Sequence, residues 1–263
     1  MQIAGSSVLI TGASGGLGQA MARELAGRGA RLALSGRRGD VLEQVAGELG
    51  ARAIAADLAD RAEVERLALA AGEVDILIAN AGLPAAGRLE SFTAEQRDRA
   101  LEVNLRAPVA LAHALLGGML ERGRGHLLFM SSIAGKTTVP GNPLYHATKY
   151  GLRGFAAALR QDLHGSGVGV SCVFPGFIRD AGIFAQSGAR LPPGTGTRSP
   201  QDVARAVATA VERDRGEVDV AALPQRAGAL IAAVSPELAA AFVRRAGGPR
   251  IAREMDRALR DKR

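Results

Sequence analysis

Val8-Leu9-Ile10-Thr11-Gly12-Ala13-Ser14-Gly15-Gly16-Leu17-Gly18 passes from an apolar run through a cluster of glycines into a helical pattern without a break. Residues 6–11 predict a short strand and residues 17–28 a helix. Glycines at the join permit a tight turn and let the backbone come close to a ligand. The helix that follows offers unpaired N–H groups and a partial positive charge at its start. Between a strand and a helix, such a turn reads as a pyrophosphate-binding loop, with Gly12, Ser14, Gly16, Leu17 and Gly18 as its contact residues.

Outward from that turn, strand and helix patterns alternate. Strands are predicted at 31–35, 51–56, 74–79, 126–131, 168–174 and 217–221, and helices at 40–49, 62–71, 94–103, 105–121, 144–164 and 200–212. The strands are short, apolar and mostly without polar alternation, as expected of strands covered on both faces of a parallel sheet. The alternation predicts an α/β fold, a single Rossmann-type doubly wound parallel sheet flanked by helices. Residues 1–223 are expected to form a dinucleotide-binding catalytic domain, and 224–263 a C-terminal helical tail packed on it. The tail should break at Pro236 and at Gly247-Gly248-Pro249. Residues 178–199, rich in Gly and Pro, read as a long loop of the kind that serves as a lid.

Composition narrows the function classes. Of 263 residues, 47% are hydrophobic but only 3% aromatic, with no Trp, so the core is expected to be built from Ala, Val, Leu and Ile. The single cysteine, Cys172, excludes an intrachain disulfide and is expected to be buried in its strand. The formal charge of +7 is concentrated at the end, where residues 242–263 carry eight Lys/Arg against three Asp/Glu. That tail lacks aromatic or groove-entering elements, so no nucleic-acid partner is expected; a solvated helix face is the plainer reading, with an anionic membrane surface behind it. No apolar run of about 18 residues suggests a transmembrane segment. The start lacks a basic signal-peptide region, so a cytoplasmic location is expected.

The end of the second strand bears on the cofactor. An acid there would hold the ribose 2′-hydroxyl of NAD, but the chain reads Ser35-Gly36-Arg37-Arg38. Guanidinium groups at Arg37 and Arg38 suit the 2′-phosphate of NADP(H) instead, which predicts NADP(H) in preference to NAD(H). Solvated loop arginines are the plainer alternative.

Further stretches complete a pattern: Asn80-Ala81-Gly82, Asn104, Ser131-Ser132, and Tyr145-His146-Ala147-Thr148-Lys149. With the glycine turn, these resemble the short-chain dehydrogenase/reductase family, in its compact branch of about 250 residues, over roughly residues 5–222. Ser132 stands thirteen residues before Tyr145, and Lys149 four after it. The resemblance implies that Tyr145 is the general acid/base, that Lys149 assists it and holds the nicotinamide ribose, and that Ser132 donates to the substrate oxygen. It further implies that Asn104 holds a water in a proton relay. Ser132 is preferred to Ser131 by family spacing alone. Asp57 and Leu58 correspond to an adenine contact, and Asn80, Ala81 and Gly82 to the sheet centre beside the cofactor. Pro175, Gly176 and Ile178 correspond to the nicotinamide turn. Asp180 stands where the family usually has Thr, and Gly15 where NADP-specific members often have a basic residue, so selectivity rests on Arg37 and Arg38.

Elementary chemistry fits these roles. Tyr145 and Lys149 share a helix face. A phenol titrates near 10, and bringing it toward neutrality takes roughly 3–4 kcal/mol of differential stabilisation. A nearby ammonium is expected to supply part of this. His146 should point elsewhere and serve packing, as should His113, His126 and His164, and no residues have metal-ligand spacing. Phe177, Ile178, Ile183, Phe184 and Leu191 in the lid, with Ile133, Val139, Pro140 and Leu144, predict a pocket for a lipophilic carbonyl or secondary alcohol. Pairing through residues 105–121 and 144–164 is expected to give a homotetramer or dimer. A non-catalytic NADP(H)-binding sensor is the alternative; it has no use for Tyr145 and Lys149 together. Epimerisation or dehydration on the same fold is disfavoured, because such chains usually carry a larger substrate domain.

Overall fold

Short apolar runs too brief for helices pair side by side in the computed structural model, which describes residues 1–191, 193–245 and 247–260. Seven parallel strands result: β1 (Ser7–Thr11), β2 (Arg31–Gly36), β3 (Arg52–Ala55), β4 (Ile76–Ala79), β5 (Gly125–Met130), β6 (Val168–Pro175) and β7 (Glu217–Val220). Their order is β3-β2-β1-β4-β5-β6-β7. The direction of winding reverses between β1 and β4, so a crevice opens there at the carboxyl ends of the strands, where open α/β sheets bind ligands.

Successive strand residues point to opposite faces, and each face has its own core. Leu9, Leu77, Leu127 and Phe129 pack under α3 (Arg61–Ala71), α5 (Ala107–Glu121) and α6 (Pro143–Asp162). Ile10, Ile76, Ile78 and Leu128 pack under α1 (Gly16–Gly27), α2 (Gly39–Leu49) and α8 (Pro200–Glu212). Each such fully buried aliphatic side chain contributes about 1.5–3 kcal/mol. Cys172 lies inside the first of these layers.

The helices expected at 94–103 and 105–121 are one unbroken rod. α4 (Ala94–Leu101) passes into α5 through a π-helical turn, Glu102–Arg106, with Asn104 at its centre. By length and composition the rod, Ala94–Glu121, is apolar enough to cross a membrane. Val103, Ala107, Leu111, Leu115 and Met119 are instead buried against the sheet, as in a core helix. The lid segment holds a short helix, α7 (Gly182–Ser187), and a single bridge from Ile178 to Arg198. Beyond β7 come α9 (Leu223–Val234), α10 (Pro236–Arg245) and α11 (Gly248–Leu259); α9 packs on α10, and α11 on α10 and α7.

Candidate active site

The crevice is a cleft of about 850 Å³. It is lined by the glycine turn, the ends of β2 to β6, one face of α6, the lid and α11. Its floor is the turn after β1. Gly12 has φ +67°, and a Cβ on it would lie 2.9 Å from Ala81 Cα. A Cβ on Gly18 would stand 2.3 Å from the Gly12 carbonyl oxygen. Both positions therefore exclude any larger side chain. Helices α3, α4 and α8 have side-chain caps and acids in their first turns. α1 has neither, so its first N–H groups face the cleft free for an anion.

At the end of β2 the Ser35 hydroxyl is buried without a partner and lines the cleft. Arg37 and Arg38 are exposed at the rim. Arg38 Nη2 donates to the Ser14 carbonyl, tying the rim to the turn. Asp57 accepts the Ala59 N–H at 3.1 Å and the Arg99 guanidinium at 2.8 Å. Burial raises its pKa, but these two donors outweigh it and hold the carboxyl below its ordinary value. A carboxylate has further lone pairs, so Asp57 can still accept from an amine. Asn80 Nδ2 donates to the Thr11 carbonyl at 2.9 Å and clamps the ends of β1 and β4. A bare glycine cradle, an uncapped helix start and an orphaned hydroxyl together fit a dinucleotide.

Toward β5 and β6 the two serines separate. Ser131 Oγ donates to the Lys149 carbonyl at 2.9 Å and is buried, a packing role. Ser132 Oγ accepts the Ala134 N–H at 3.1 Å, donates to the Pro175 carbonyl at 3.3 Å and stands near enough to the Tyr145 phenol to favour its ionised form. Only Ser132 thus acts on the phenol. Lys149 is 4% exposed, and its Nζ donates to the Met130 carbonyl at 2.9 Å. Nζ lies 5.6 Å from the Tyr145 ring centroid. Burial lowers the Lys149 pKa to about 8. Burial raises that of Tyr145 to about 12, against the opposing hydrogen bond from Ser132. The lowering expected from the ammonium is absent: Lys149 reaches the ring face, and desolvation dominates the phenol. By the protein's own groups, Tyr145 is a protonated acid at neutral pH.

The Asn104 side chain does not reach the cleft surface. It is fully buried, Oδ1 accepting the Leu83 N–H at 2.7 Å and Nδ2 donating to the Leu83 carbonyl at 3.1 Å. Both ends of the carboxamide are engaged, and Asn104 holds the loop after β4. The other predicted contact residues, Gly12, Ser14, Gly16, Leu17, Gly18, Arg37, Arg38, Asp57, Leu58, Asn80, Ala81, Gly82, Ser132, Tyr145, Lys149, Pro175, Gly176 and Ile178, all line the cleft. Asp180 does not; it is exposed at φ +67° and faces Arg179 at 3.6 Å.

The apolar wall is partly as expected. Ile133, Val139, Phe177, Ile183 and Phe184 line the cleft, whereas Pro140, Leu144 and Leu191 do not. Leu144 is buried in a small cluster with Ala85 and Ala100, against which Tyr145 also packs. His146 is buried: Nε2 accepts the Val139 N–H at 3.0 Å and Nδ1 lies 2.8 Å from the Ala134 carbonyl oxygen. That carbonyl can only accept, so Nδ1 carries the proton; burial lowers the pKa and keeps the ring neutral. Two contributions escaped the sequence reading. Gln225 of α9 accepts the Phe177 N–H at 3.1 Å and donates to the Thr195 and Gly196 carbonyls, stapling both ends of the lid. Ile251, Ala252 and Met255 of α11 complete the wall; their helical spacing was the available signal.

A sequence model of the short chain dehydrogenase family matches residues 6–190. Nodulation protein G of Rhizobium sp. (strain N33) is 39% identical over 186 residues, 68% of this chain and 76% of that protein. Ketoacyl reductase HetN of Nostoc sp. (strain PCC 7120) is 34% identical over 227 residues, covering 83% and 79%. Among solved structures, the short-chain dehydrogenase from Sphingobium yanoikuyae in complex with NADPH superposes with a TM-score of 0.76 at 28% identity, over 86% of this chain and 92% of that one.

Proposed function

Because the chain belongs to the short-chain dehydrogenase/reductase family, we propose that it moves hydride between NADP(H) and a carbonyl or secondary alcohol on a lipophilic substrate. The observation that carries this reading is the convergence of Ser132, Tyr145 and Lys149 in the cleft beside its apolar wall of Ile133, Val139, Phe177, Ile183 and Phe184. When bound, the nicotinamide cofactor supplies or accepts the hydride. The turn Gly12–Gly18 would hold its pyrophosphate and Arg37 its 2′-phosphate. Asp57 and Leu58 would hold the adenine, Asn80 to Gly82 with Lys149 the nicotinamide ribose, and Pro175 to Ile178 the nicotinamide. Tyr145 then donates its proton to the substrate oxygen as charge develops there, and Ser132 donates a second hydrogen bond to the same atom. Lys149 holds positive charge beside the phenol. Asn104 acts by position, keeping Gly82 and Leu83 against the lysine.

NADPH oxidation against ketones and aldehydes graded in length and polarity tests the reading, with NADH in parallel. Turnover should favour NADPH and the longer apolar carbonyls. No turnover on any member despite tight NADPH binding favours the sensor alternative. Charge-assisted hydrogen bonds are worth about 1.5–3 kcal/mol each, so Arg37→Ala should weaken NADPH by roughly 10–100-fold while leaving NADH unchanged. Arg38→Ala should weaken both cofactors, because Arg38 also supports the Ser14 carbonyl. Equal NADPH affinity in Arg37→Ala would make that arginine a bystander.

Two copies are proposed to pair through the outer faces of α5 and α6, where Leu120 and Tyr150 are exposed, giving a dimer or tetramer. Sedimentation at micromolar concentration should show a multiple of 27.1 kDa; a single 27.1 kDa species refutes the pairing.

A further inference from the structure

The α9–α10 hairpin is built for a surface other than water. Among the described residues, six of the eleven exposed large hydrophobic side chains fall within it: Leu223, Leu230, Ile231, Val234, Leu238 and Phe242. They are strongly exposed, Val234 to 89% and Phe242 to 72%. Helical spacing gathers them into stripes. Leu223, Leu230 and Val234 stand at i, i+7 and i+11 on α9, and Leu238 and Phe242 at i and i+4 on α10. Each stripe carries an arginine on its own side, Arg226 three residues after Leu223 and Arg245 three after Phe242. Arg244 lies beside the second. None of these three guanidiniums has an acidic partner among the described residues, although most acids elsewhere are paired with arginine.

Apolar side chains standing clear of the fold, edged by arginines without acidic partners, make the kind of amphipathic surface that suits a membrane interface. The charge chooses among occupants. A second copy on this face would bring arginine stripes of like sign together, whereas anionic phospholipid headgroups neutralise them. Arg244 and Arg245 stand together at the end of α10, whereas in α11 Arg250 is paired with Glu254. The hairpin lies outside the residues 6–190 matched by the family model. It also stands next to the cleft: α11 follows α10 directly and lays Ile251, Ala252 and Met255 along the cleft wall.

We propose that α9 and α10 dock this protein on an anionic phospholipid surface, with Leu230, Val234, Leu238 and Phe242 entering the interface and Arg226, Arg244 and Arg245 meeting the headgroups. The test is co-sedimentation of the full chain with phosphatidylcholine vesicles, with and without one third phosphatidylglycerol. Binding is expected to the anionic vesicles, and to weaken as salt is raised. Val234→Glu/Phe242→Glu should lose more than tenfold in partitioning, and Arg244→Ala/Arg245→Ala should lose most of the preference for phosphatidylglycerol. Both pairs are exposed, and neither touches the cleft lining, so circular dichroism and NADPH binding should match the parent. Failure of the parent to bind either vesicle, equal binding to neutral and anionic vesicles, or undiminished binding by the glutamate variant each overturns the proposal. So does a halving of solution mass by the glutamate variant, which would assign the hairpin to a contact between copies. Vesicle binding is read without turnover, so its outcome and that of the oxidoreductase reading are independent.

Discussion

Tyr145→Phe is expected to lower the turnover of carbonyl reduction by about 10³-fold, within the 10²–10⁴ that a positioned general acid contributes, while leaving NADPH affinity within about threefold. Phe keeps the ring that packs near Lys149 and removes only the hydroxyl beside Ser132. The cradle at Gly12 and Gly18 and the rim at Arg37 are untouched. The pH dependence adds a second handle. Burial holds the phenol up at about 12, so Tyr145 is the proton-bearing form across the neutral range. Reduction should therefore stay nearly level between about pH 6 and 7 and decline as Lys149 loses its proton near 8, whereas alcohol oxidation, which needs the phenolate, should rise with pH through the neutral range. Steady-state kcat/KM in both directions, for parent and variant, checks these outcomes. Retained turnover in the variant would remove Tyr145 from the chemistry. A reductive rate already falling as pH rises from about 6 to 7 would mean that bound ligands pull the phenol far below the value set by its protein surroundings.

The same pair of residues marks where sequence reading reached and where it stopped. The sheet and the turn after β1 were legible because local and global demands coincide there. The runs around Leu9, Ile78 and Leu128 are buried on both faces, and Gly12 and Gly18 stand where a Cβ has no room. The pKa direction of Tyr145 was not legible. A sequence shows a lysine four residues away but not the desolvation that raises the phenol, nor that Nζ reaches the ring face and the Met130 carbonyl. The π turn at Asn104 was likewise hidden. Residues 102–106 have ordinary helical preferences, and the distinctive feature of Asn104 is its pair of hydrogen bonds to Leu83, 21 positions away. Ser131 and Ser132 are chemically identical and adjacent; only the direction of each side chain past β5 ties the first to the Lys149 carbonyl and leaves the second beside Tyr145. Leu144 is buried behind Tyr145 in a small cluster with Ala85 and Ala100 and does not reach the cleft surface.

Lys149→Met is expected to abolish detectable turnover, a loss above about 10³-fold if the ammonium and the phenol act as one unit, yet to leave the fold at least as stable at neutral pH. The lysine is almost fully buried, and burial brings it from 10.5 to about 8. That difference corresponds to about 3 kcal/mol of destabilisation of the folded state. Below pH 8 both folded and unfolded chains hold the proton, so the penalty is present in full. Between about 8 and 10.5 the unfolded chain binds more protons than the folded one, and this group's contribution to stability rises with pH. Met removes the penalty and keeps the volume, but leaves the Met130 carbonyl without its donor, a cost of about 1–3 kcal/mol. Near pH 7 these nearly cancel or favour the variant. Above about 10.5 only the orphaned carbonyl remains, and the variant becomes the less stable protein. Paired thermal melts from pH 6 to 10.5 therefore should show a difference in Tm that changes in the parent's favour as pH rises. A constant deficit in Lys149→Met across that range would mean that the ammonium is not strained by its burial. Full stability without turnover would locate the value of Lys149 in the chemistry: a charge held against its own solvation so that positive potential stands beside Tyr145.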